Sequence, residues 1–254
     1  MKLNKHCISA VKMVALVLSF LSANAIAQGV PATWSYSGKT APDKWAELET
    51  ANATCKTSKE QSPINIVKSK VAKATLPVLN FSYQAGPAEL VNNSHTIQVD
   101  FPEGSALKVG ANEAALLQFH FHTPSEEEID GVRYPMVAHF VHKDKEGKLF
   151  VVAVLFKLGK ENTTLAPLFS TFPAINSSLH VAHFDPAKLL PEKLAYYQFM
   201  GSLTTPPCSD GVRWFVLKHP QSISRGQLAL FKQLYSMNAR PVQPLHGRVV
   251  EESE

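Results

Sequence analysis

The sequence predicts a mainly β protein with one large central sheet and a few peripheral helices. Polar and apolar residues alternate in several segments, such as HTIQVDF at 95–101, which is typical of strands with one buried face. The segment FVVAVLFKL at 150–158 is apolar almost throughout, so we expect a strand covered on both faces and therefore central in a large sheet. Only the segment 224–237 has the apolar spacing of a good helix, opened by Ser224.

The first 27 residues have the pattern of a secretory signal peptide. They contain three lysines near the start, the short apolar run MVALVLSFL and a small-residue cleavage site that ends at Ala27. The run is too short to span a bilayer, which takes about 20 apolar residues, and no later segment is long enough, so we predict no membrane span. We therefore expect an exported protein, periplasmic in a Gram-negative source and otherwise secreted.

Residues 28–254 are predicted to form a single domain, because no repeat, low-complexity tract or linker divides them. Removal of the three lysines of the leader lowers the formal net charge from +4 to +1. A nearly neutral chain without a basic block is not expected to bind nucleic acid or an anionic membrane. The sequence leaves the oligomeric state open, a homodimer included.

Two cysteines, Cys55 and Cys208, remain after the leader is removed. Thiols are oxidised outside the cytosol, so an even pair in an exported chain favours a disulfide bond over a metal site. The alternative is a pair of free thiols.

Four of the ten histidines lie within residues 118–142. On a strand, His120 and His122 point to the same side, because side-chain directions repeat every two residues. The next strand offers His139 and His142 on opposite faces, so only one of them can join the pair, and the spacing does not say which. Three imidazoles with one open position are typical of a catalytic zinc site. The alternative is that these histidines only satisfy backbone carbonyls in the sheet.

Five segments of the chain together resemble the alpha-class carbonic anhydrases. They are QSPINI at 61–66, NSHTIQV at 93–99, QFHFHTPSE at 118–126, AHFVH at 138–142 and GSLTTPPCSDGVRWFV at 201–216. The matches keep the family's order and spacing over nearly all of the predicted domain. The resemblance implies a twisted, mostly antiparallel sheet with the metal at the bottom of a cone, and it makes His139 the third zinc ligand.

The resemblance implies a zinc enzyme that interconverts carbon dioxide and bicarbonate. A zinc-bound hydroxide would attack carbon dioxide, and weak ester hydrolysis is an expected side activity. Thr204, held by Glu126, would orient the hydroxide. His95 would carry the proton to solvent, since an imidazole with a pKa of about 6.5 suits this task at neutral pH. By local pattern alone, these three residues are a turn residue, a solvated acid and a polar residue at the start of a strand.

The resemblance also implies an apolar substrate pocket and a set of supporting residues. The pocket residues are Val141, Val151, Leu203, Thr205, Val212 and Trp214, most of which would be ordinary core residues by pattern alone. Tyr36 and Asn93 would order water along the proton path, and Gln118 would stand behind the metal ligands.

The chain departs from the family pattern at two positions. The family usually has a glutamate two residues before the third ligand, where it accepts a hydrogen bond from that histidine's far nitrogen, but this chain has Val137. Just after Glu126 the family usually has a histidine, and this chain has Glu127. We predict that the carboxylate has moved, so that Glu127 accepts the proton of His139 Nδ1. The alternative is a solvated Glu127, with a water molecule or a carbonyl serving His139.

Two other classes of function stay open at the level of the sequence. One is a binding or adhesion module that keeps the fold without catalysis, which the intact set of histidines disfavours. The other is a different zinc hydrolase with the same ligands. The apolar pocket disfavours it, because a peptide or phosphate substrate would need polar recognition groups.

Overall fold

The structure is a computed structural model that describes residues 34–254. The predicted signal peptide, residues 1–27, lies outside the described residues. The strands in chain order are β1 (Asn65–Ile66), β2 (Ala72–Lys73), β3 (Leu79–Ser82), β4 (Gly86–Asn92), β5 (Ile97–Asp100), β6 (Ala106–Val109), β7 (Asn112–His122), β8 (Glu128–Ile129), β9 (Val132–Arg133), β10 (Met136–Asp144), β11 (Leu149–Leu158), β12 (Ser177–Phe184), β13 (Tyr196–Ser202), β14 (Asp210–Leu217), β15 (Gln221–Ile223) and β16 (Glu251–Glu252). The α-helices are α1 (Trp45–Leu48), α2 (Thr54–Thr57), α3 (Ala166–Phe169) and α4 (Arg225–Leu234), and short 3-10 helices cover Gly38–Thr40, Thr50–Asn52, Lys68–Lys70 and Pro186–Leu189.

Thirteen of these strands form one large, mostly antiparallel sheet. Its main path runs β12-β4-β5-β7-β10-β11-β14-β13-β16-β2, with β15 beside β11 and with β3 joined to β7 through β6. In the described part of this sheet, parallel pairing is confined to β11 with β14 and β15, and to β16 with β2. Strands β1, β8 and β9 form a second, small sheet. The predicted fold class is confirmed.

Strand β11 separates two apolar clusters, as its continuously apolar sequence predicts. The larger cluster receives Phe150, Val152, Val154 and Phe156 from this strand, and the smaller cluster receives Val151, Ala153 and Leu155. Each of these side chains is at most 4% exposed. Burial of a large apolar side chain contributes on the order of 1.5–3 kcal/mol, so β11 anchors the sheet from both faces.

Helix α4 begins where the sequence predicts it. The Ser224 hydroxyl accepts a hydrogen bond from the backbone N–H of Gln227 at 3.1 Å, and the Gln227 side chain accepts one from the N–H of Ser224 at 3.2 Å. This capping box satisfies two backbone donors at the start of the helix. The helix ends before Tyr235, whose backbone is extended, and it is therefore shorter than the predicted segment. No helix among the described residues is long and apolar enough to cross a membrane.

Cys55 and Cys208 form a disulfide bond with an S–S distance of 2.01 Å, which confirms the predicted pairing. The bond ties α2 to the loop between β13 and β14. In that loop the N–H of Cys208 donates to the carbonyl of Thr205 at 2.9 Å. The Gln61 side chain donates to the carbonyl of Cys208 at 2.9 Å. Three separated parts of the chain therefore meet at the bridge.

We expect the disulfide to stabilise the fold because its cysteines lie 153 residues apart in the sequence. Replacing both by Ala removes this constraint on the unfolded chain and should lower the free energy of unfolding by about 2–5 kcal/mol. Urea denaturation of the mature protein and of the double variant measures the difference, with the parent protein in dithiothreitol as a control that lacks the bond but carries no substitution. Equal free energies for the variant and the unreduced parent would contradict the expectation.

Candidate metal centre

Strands β7 and β10 bring three histidines together. His120 and His122 lie at the end of β7, and His139 on β10 pairs directly with His120. The ring centroids of the three are 4.8–5.5 Å apart, and one nitrogen of each ring lies within 4.8 Å of the other two. Within residues 34–254 this is the one group of three or more side chains arranged to hold a metal ion.

His142 lies on the other face of β10. Its Nε2 is 2.7 Å from the hydroxyl of Tyr83, and its Nδ1 is 3.2 Å from the carbonyl of Phe150. Both ring nitrogens of His142 are therefore engaged within the core. Of the two histidines on β10, it is His139 that joins His120 and His122.

The two histidines of β7 each have their far nitrogen held by an acceptor. His120 Nδ1 is 2.9 Å from Oε1 of Gln118, and His122 Nδ1 is 2.7 Å from the carbonyl of Asn238. Acceptors of this kind fix the tautomer and the orientation of an imidazole that binds metal through its other nitrogen. His122 Nε2, which points into the cluster, is buried and has no hydrogen-bond partner. A bound cation would remove this deficit, so the cluster fits a metal ion.

His139 is held by Glu127, but through a different nitrogen from the one predicted. The carboxylate oxygens of Glu127 lie 2.9 and 3.2 Å from His139 Nε2, which leaves Nδ1 for the cluster, so the assignment of this contact to Nδ1 is wrong. Glu127 is fully buried, and solvation of its carboxylate is excluded. It lies in the connection between β7 and β8 rather than on a strand beside β10.

The protonation of two of the three rings suits metal binding. Burial lowers the pKa of His120 to about 3 and that of His122 well below its usual value, so both rings are neutral at pH 7. Burial also acts to lower the pKa of His139, but the charges of Glu127 and Glu126 outweigh it and raise the pKa overall. Protons therefore compete with a metal ion for His139 more than for His120 or His122.

Glu126 lies beside the cluster with its carboxyl group fully buried. Its Oε1 accepts a hydrogen bond from the backbone N–H of Arg240 at 2.7 Å, and its Oε2 is 3.5 Å from His122 Nε2. Burial raises the pKa of this carboxyl to about 7, while the charge of His139 acts to lower it. Thr204 is itself 5% exposed. Both residues predicted to orient the nucleophile are therefore buried, and Glu126 Oε2 has no hydrogen-bond partner among the described residues.

An apolar wall continues from the histidines across the sheet. Val141 lies two residues after His139, on the same face of β10. It pairs with Val151 on β11, and Val151 pairs with Trp214 on β14. The Trp214 ring lies 4.9 Å from the ring of His139. Of the predicted pocket residues, Val151, Val212 and Trp214 belong to the smaller apolar cluster, and the partly buried Val141 and Leu203 pack against it. Thr205 is half-buried in the loop next to Thr204.

His95 lies on a turn at the start of β5. The Asn93 side chain accepts hydrogen bonds from the N–H groups of His95 and Thr96 at 3.0 and 2.9 Å, so its carboxamide oxygen serves the turn rather than the proton path. The His95 ring stacks on Trp34, with centroids 3.7 Å apart, and burial lowers its pKa. Tyr36 lies between this turn and the cluster, with its ring 6.5 Å from that of His122.

The sequence interpretation did not include three residues that support the site. Asn238 supplies the acceptor for His122, Trp34 stacks on His95, and Arg240 holds Glu126. The buried guanidinium of Arg240 also donates to Ser62 and to Cys55. Asn238 and Arg240 follow α4, more than 100 positions after the histidine pair, and no local pattern marks them.

The eukaryotic-type carbonic anhydrase family model matches residues 40–254. A carbonic anhydrase of Neisseria gonorrhoeae is 42% identical over 240 residues, which cover 93% of this chain and 94% of that protein. The solved structure of the alpha-carbonic anhydrase from Thermovibrio ammonificans with sulfanilamide is 44% identical, has a TM-score of 0.85, and the match covers 87% of this chain and 99% of that one. Dioscorin, solved in complex with ascorbate, is 34% identical with a TM-score of 0.82, and the match covers 87% and 97% of the two chains.

We expect the purified protein to contain one divalent metal ion per chain, because the three converging nitrogens supply its ligands. The variant His120→Ala should lose most of this metal. His142→Ala is the matched control, because it removes a buried imidazole from the opposite face of β10. Elemental analysis of the folded proteins measures the content. Full metal in His120→Ala, or loss of metal in His142→Ala, would contradict this assignment.

Proposed function

The chain belongs to the eukaryotic-type, alpha-class carbonic anhydrases, and we propose that it catalyses the reversible hydration of carbon dioxide to bicarbonate with zinc held by His120, His122 and His139. The supporting observation is that all three imidazoles have their far nitrogens engaged by acceptors while their near nitrogens converge. When bound, zinc would supply hydroxide at neutral pH by lowering the pKa of a water molecule to about 7, an effect for which carbonic anhydrases are themselves the known example.

In this proposal, Thr204 and Glu126 direct the attacking oxygen. Glu126 has no proton to give when it is ionised, so the Thr204 hydroxyl donates its proton to the carboxylate. The threonine oxygen is then available only as an acceptor. With zinc bound, it would accept a hydrogen bond from the attacking oxygen and so orient that oxygen toward the carbon atom of the substrate.

The apolar wall binds carbon dioxide. The substrate is small and carries no charge, so it gains little from polar side chains and is held by dispersion contacts with Val141, Val151, Val212 and Trp214. Burial of these side chains also keeps water away from the carbon atom. Bicarbonate is charged and fits such a wall poorly, which favours its release.

His95 moves the proton between the site and the solvent. Its ring is half-buried against Trp34 and opens on a shallow pocket that Tyr36 and Tyr235 also line. Because burial lowers its pKa below the usual value, the neutral form that can take up a proton dominates at pH 7. In this proposal Tyr36, whose ring lies 6.5 Å from that of His122, orders the water along the path.

The fold by itself does not carry this proposal, because dioscorin shares it and was solved with ascorbate bound. The complete histidine set, its acceptors and the apolar wall favour catalysis over a role as a binding module. We also propose that the mature enzyme comprises residues 28–254 and acts outside the cytoplasm, where the Cys55–Cys208 bridge is stable.

Stopped-flow measurement of carbon dioxide hydration by the mature chain tests the proposed function. Removal of the metal with a chelator should abolish hydration, and added zinc should restore it, because without the metal no group in the site generates hydroxide at neutral pH. The variant His120→Ala, treated in the same way, is the control that zinc should not rescue. Undiminished hydration by a protein shown to be metal-free would refute the zinc mechanism.

The variant His95→Ala should lower kcat in weak buffer, by on the order of 10²-fold at most because buffer and water take over part of the transfer. The value of kcat/KM should stay nearly constant, since carbon dioxide is converted before the proton leaves. Imidazole added to the solution should restore kcat. Equal losses in kcat and kcat/KM would show that His95 acts in the conversion step instead.

A further inference from the structure

We infer that Glu127 is the positioning residue for the third metal ligand, and that Val137 makes this possible, so that the two positions form one exchanged pair. The inference rests on the proposed zinc site and concerns how this chain holds it. In relatives that follow the usual family pattern, the acceptor for this histidine comes from position 137. Here it comes from Glu127, in the connection between β7 and β8.

The contact between His139 and Glu127 is short and isolated from water. Both carboxylate oxygens lie within 3.2 Å of His139 Nε2, and the two side chains are at most 1% exposed. Among the described residues, the carboxylate of Glu127 has no hydrogen-bond donor other than this ring. A buried carboxylate without a partner is strongly unfavourable, so each group depends on the other.

The small sheet holds Glu127 in place. The Ser125 hydroxyl donates to the carbonyl of Glu127 at 2.7 Å and accepts from the N–H of Tyr134 at 2.9 Å. One residue further on, the N–H of Glu128 donates to the carbonyl of Ile64, where β1 meets β8. The backbone of Glu127 is therefore fixed on both sides, and its carboxylate has little freedom to leave His139.

Val137 keeps the space beside His139 free of a second charge. It lies two residues before His139 on the same face of β10, is fully buried, and belongs to the apolar cluster that contains Ile64 and Ile129. A glutamate at position 137 would direct a second carboxylate to the nitrogen that Glu127 already occupies. Two carboxylates that share one buried site cannot both be ionised without a large cost. The valine and the relocated glutamate are therefore compatible only as a pair.

Zinc affinity, measured by competition with a chromogenic chelator, tests the positioning role without reference to activity. Glu127→Ala should weaken zinc binding 10- to 100-fold, the usual loss for such an acceptor. Glu127→Gln keeps the shape and one acceptor oxygen, so it should lose less. Glu128→Ala is the matched control, since it removes the neighbouring carboxylate, which pairs with Arg133 instead, and it should bind zinc like the parent.

The visible spectrum of the cobalt-substituted protein is a second readout, because a change in the ligand field of His139 alters it and a general loss of stability does not. Unchanged zinc affinity and an unchanged cobalt spectrum in Glu127→Ala would overturn the positioning role. A parent protein that binds no zinc would instead overturn the proposed function, so the two failures are distinguishable. If Glu127→Ala does not fold, Glu127→Leu, which fills the space but offers no acceptor, decides, and parent-like affinity and spectrum in it would overturn the role.

The exchange is tested by moving the chain toward the usual family pattern. Glu127→His alone removes the acceptor, and Val137→Glu alone crowds two carboxylates, so each should weaken zinc binding at least 10-fold. The double variant should return to within about 3-fold of the parent, because the acceptor is again single and correctly placed. If the losses of zinc affinity in the two single variants simply add in the double variant, the exchange is overturned.

Discussion

The antiparallel pairing of β7 with β10 is the constraint on which the candidate site depends. It sets His139 opposite His120, and the two-residue repeat of a strand adds His122 on the same face. A shift of one residue in this register would turn His139 into the core and expose a different set of side chains to the cluster. Both strands are internal to the sheet, and the aromatic residues between the histidines, Phe119 and Phe121, are fully buried on the opposite face. Packing of that face therefore locks the register that the site needs.

A network of buried polar groups surrounds the histidines and joins distant parts of the chain. Arg240 connects Glu126 to the segment at 61–62 and to the disulfide, through its backbone N–H and its guanidinium. Buried charges are costly unless they are paired, and removal of one partner leaves the other exposed to that cost. The site is thus not confined to a single loop. It is joined to the N-terminal helices and to the loop that carries Thr204.

In the proposed function, the apolar wall would have two physical roles at once. Val151 and Trp214 pack within the smaller cluster that stabilises the sheet, and the same surface borders the histidines. A core that ends at the metal centre needs no separate pocket for a small apolar substrate. Because the same side chains form the core and the pocket, the pocket residues look like ordinary core residues when only their sequence pattern is considered.

Local patterns in the sequence were enough for the fold class, the doubly covered strand β11, the start of α4, the histidine pair on one face and the pairing of Cys55 with Cys208. Each of these follows from periodicity, capping or composition, which neighbouring residues encode. The register of β7 against β10 decided between His139 and His142, and the orientation of the His139 ring decided that Glu127 meets Nε2 rather than Nδ1. Asn238 and Arg240 became visible only in three dimensions. Contacts between distant segments depend on how strands pair and pack, and periodicity specifies which way a side chain points but not what it meets.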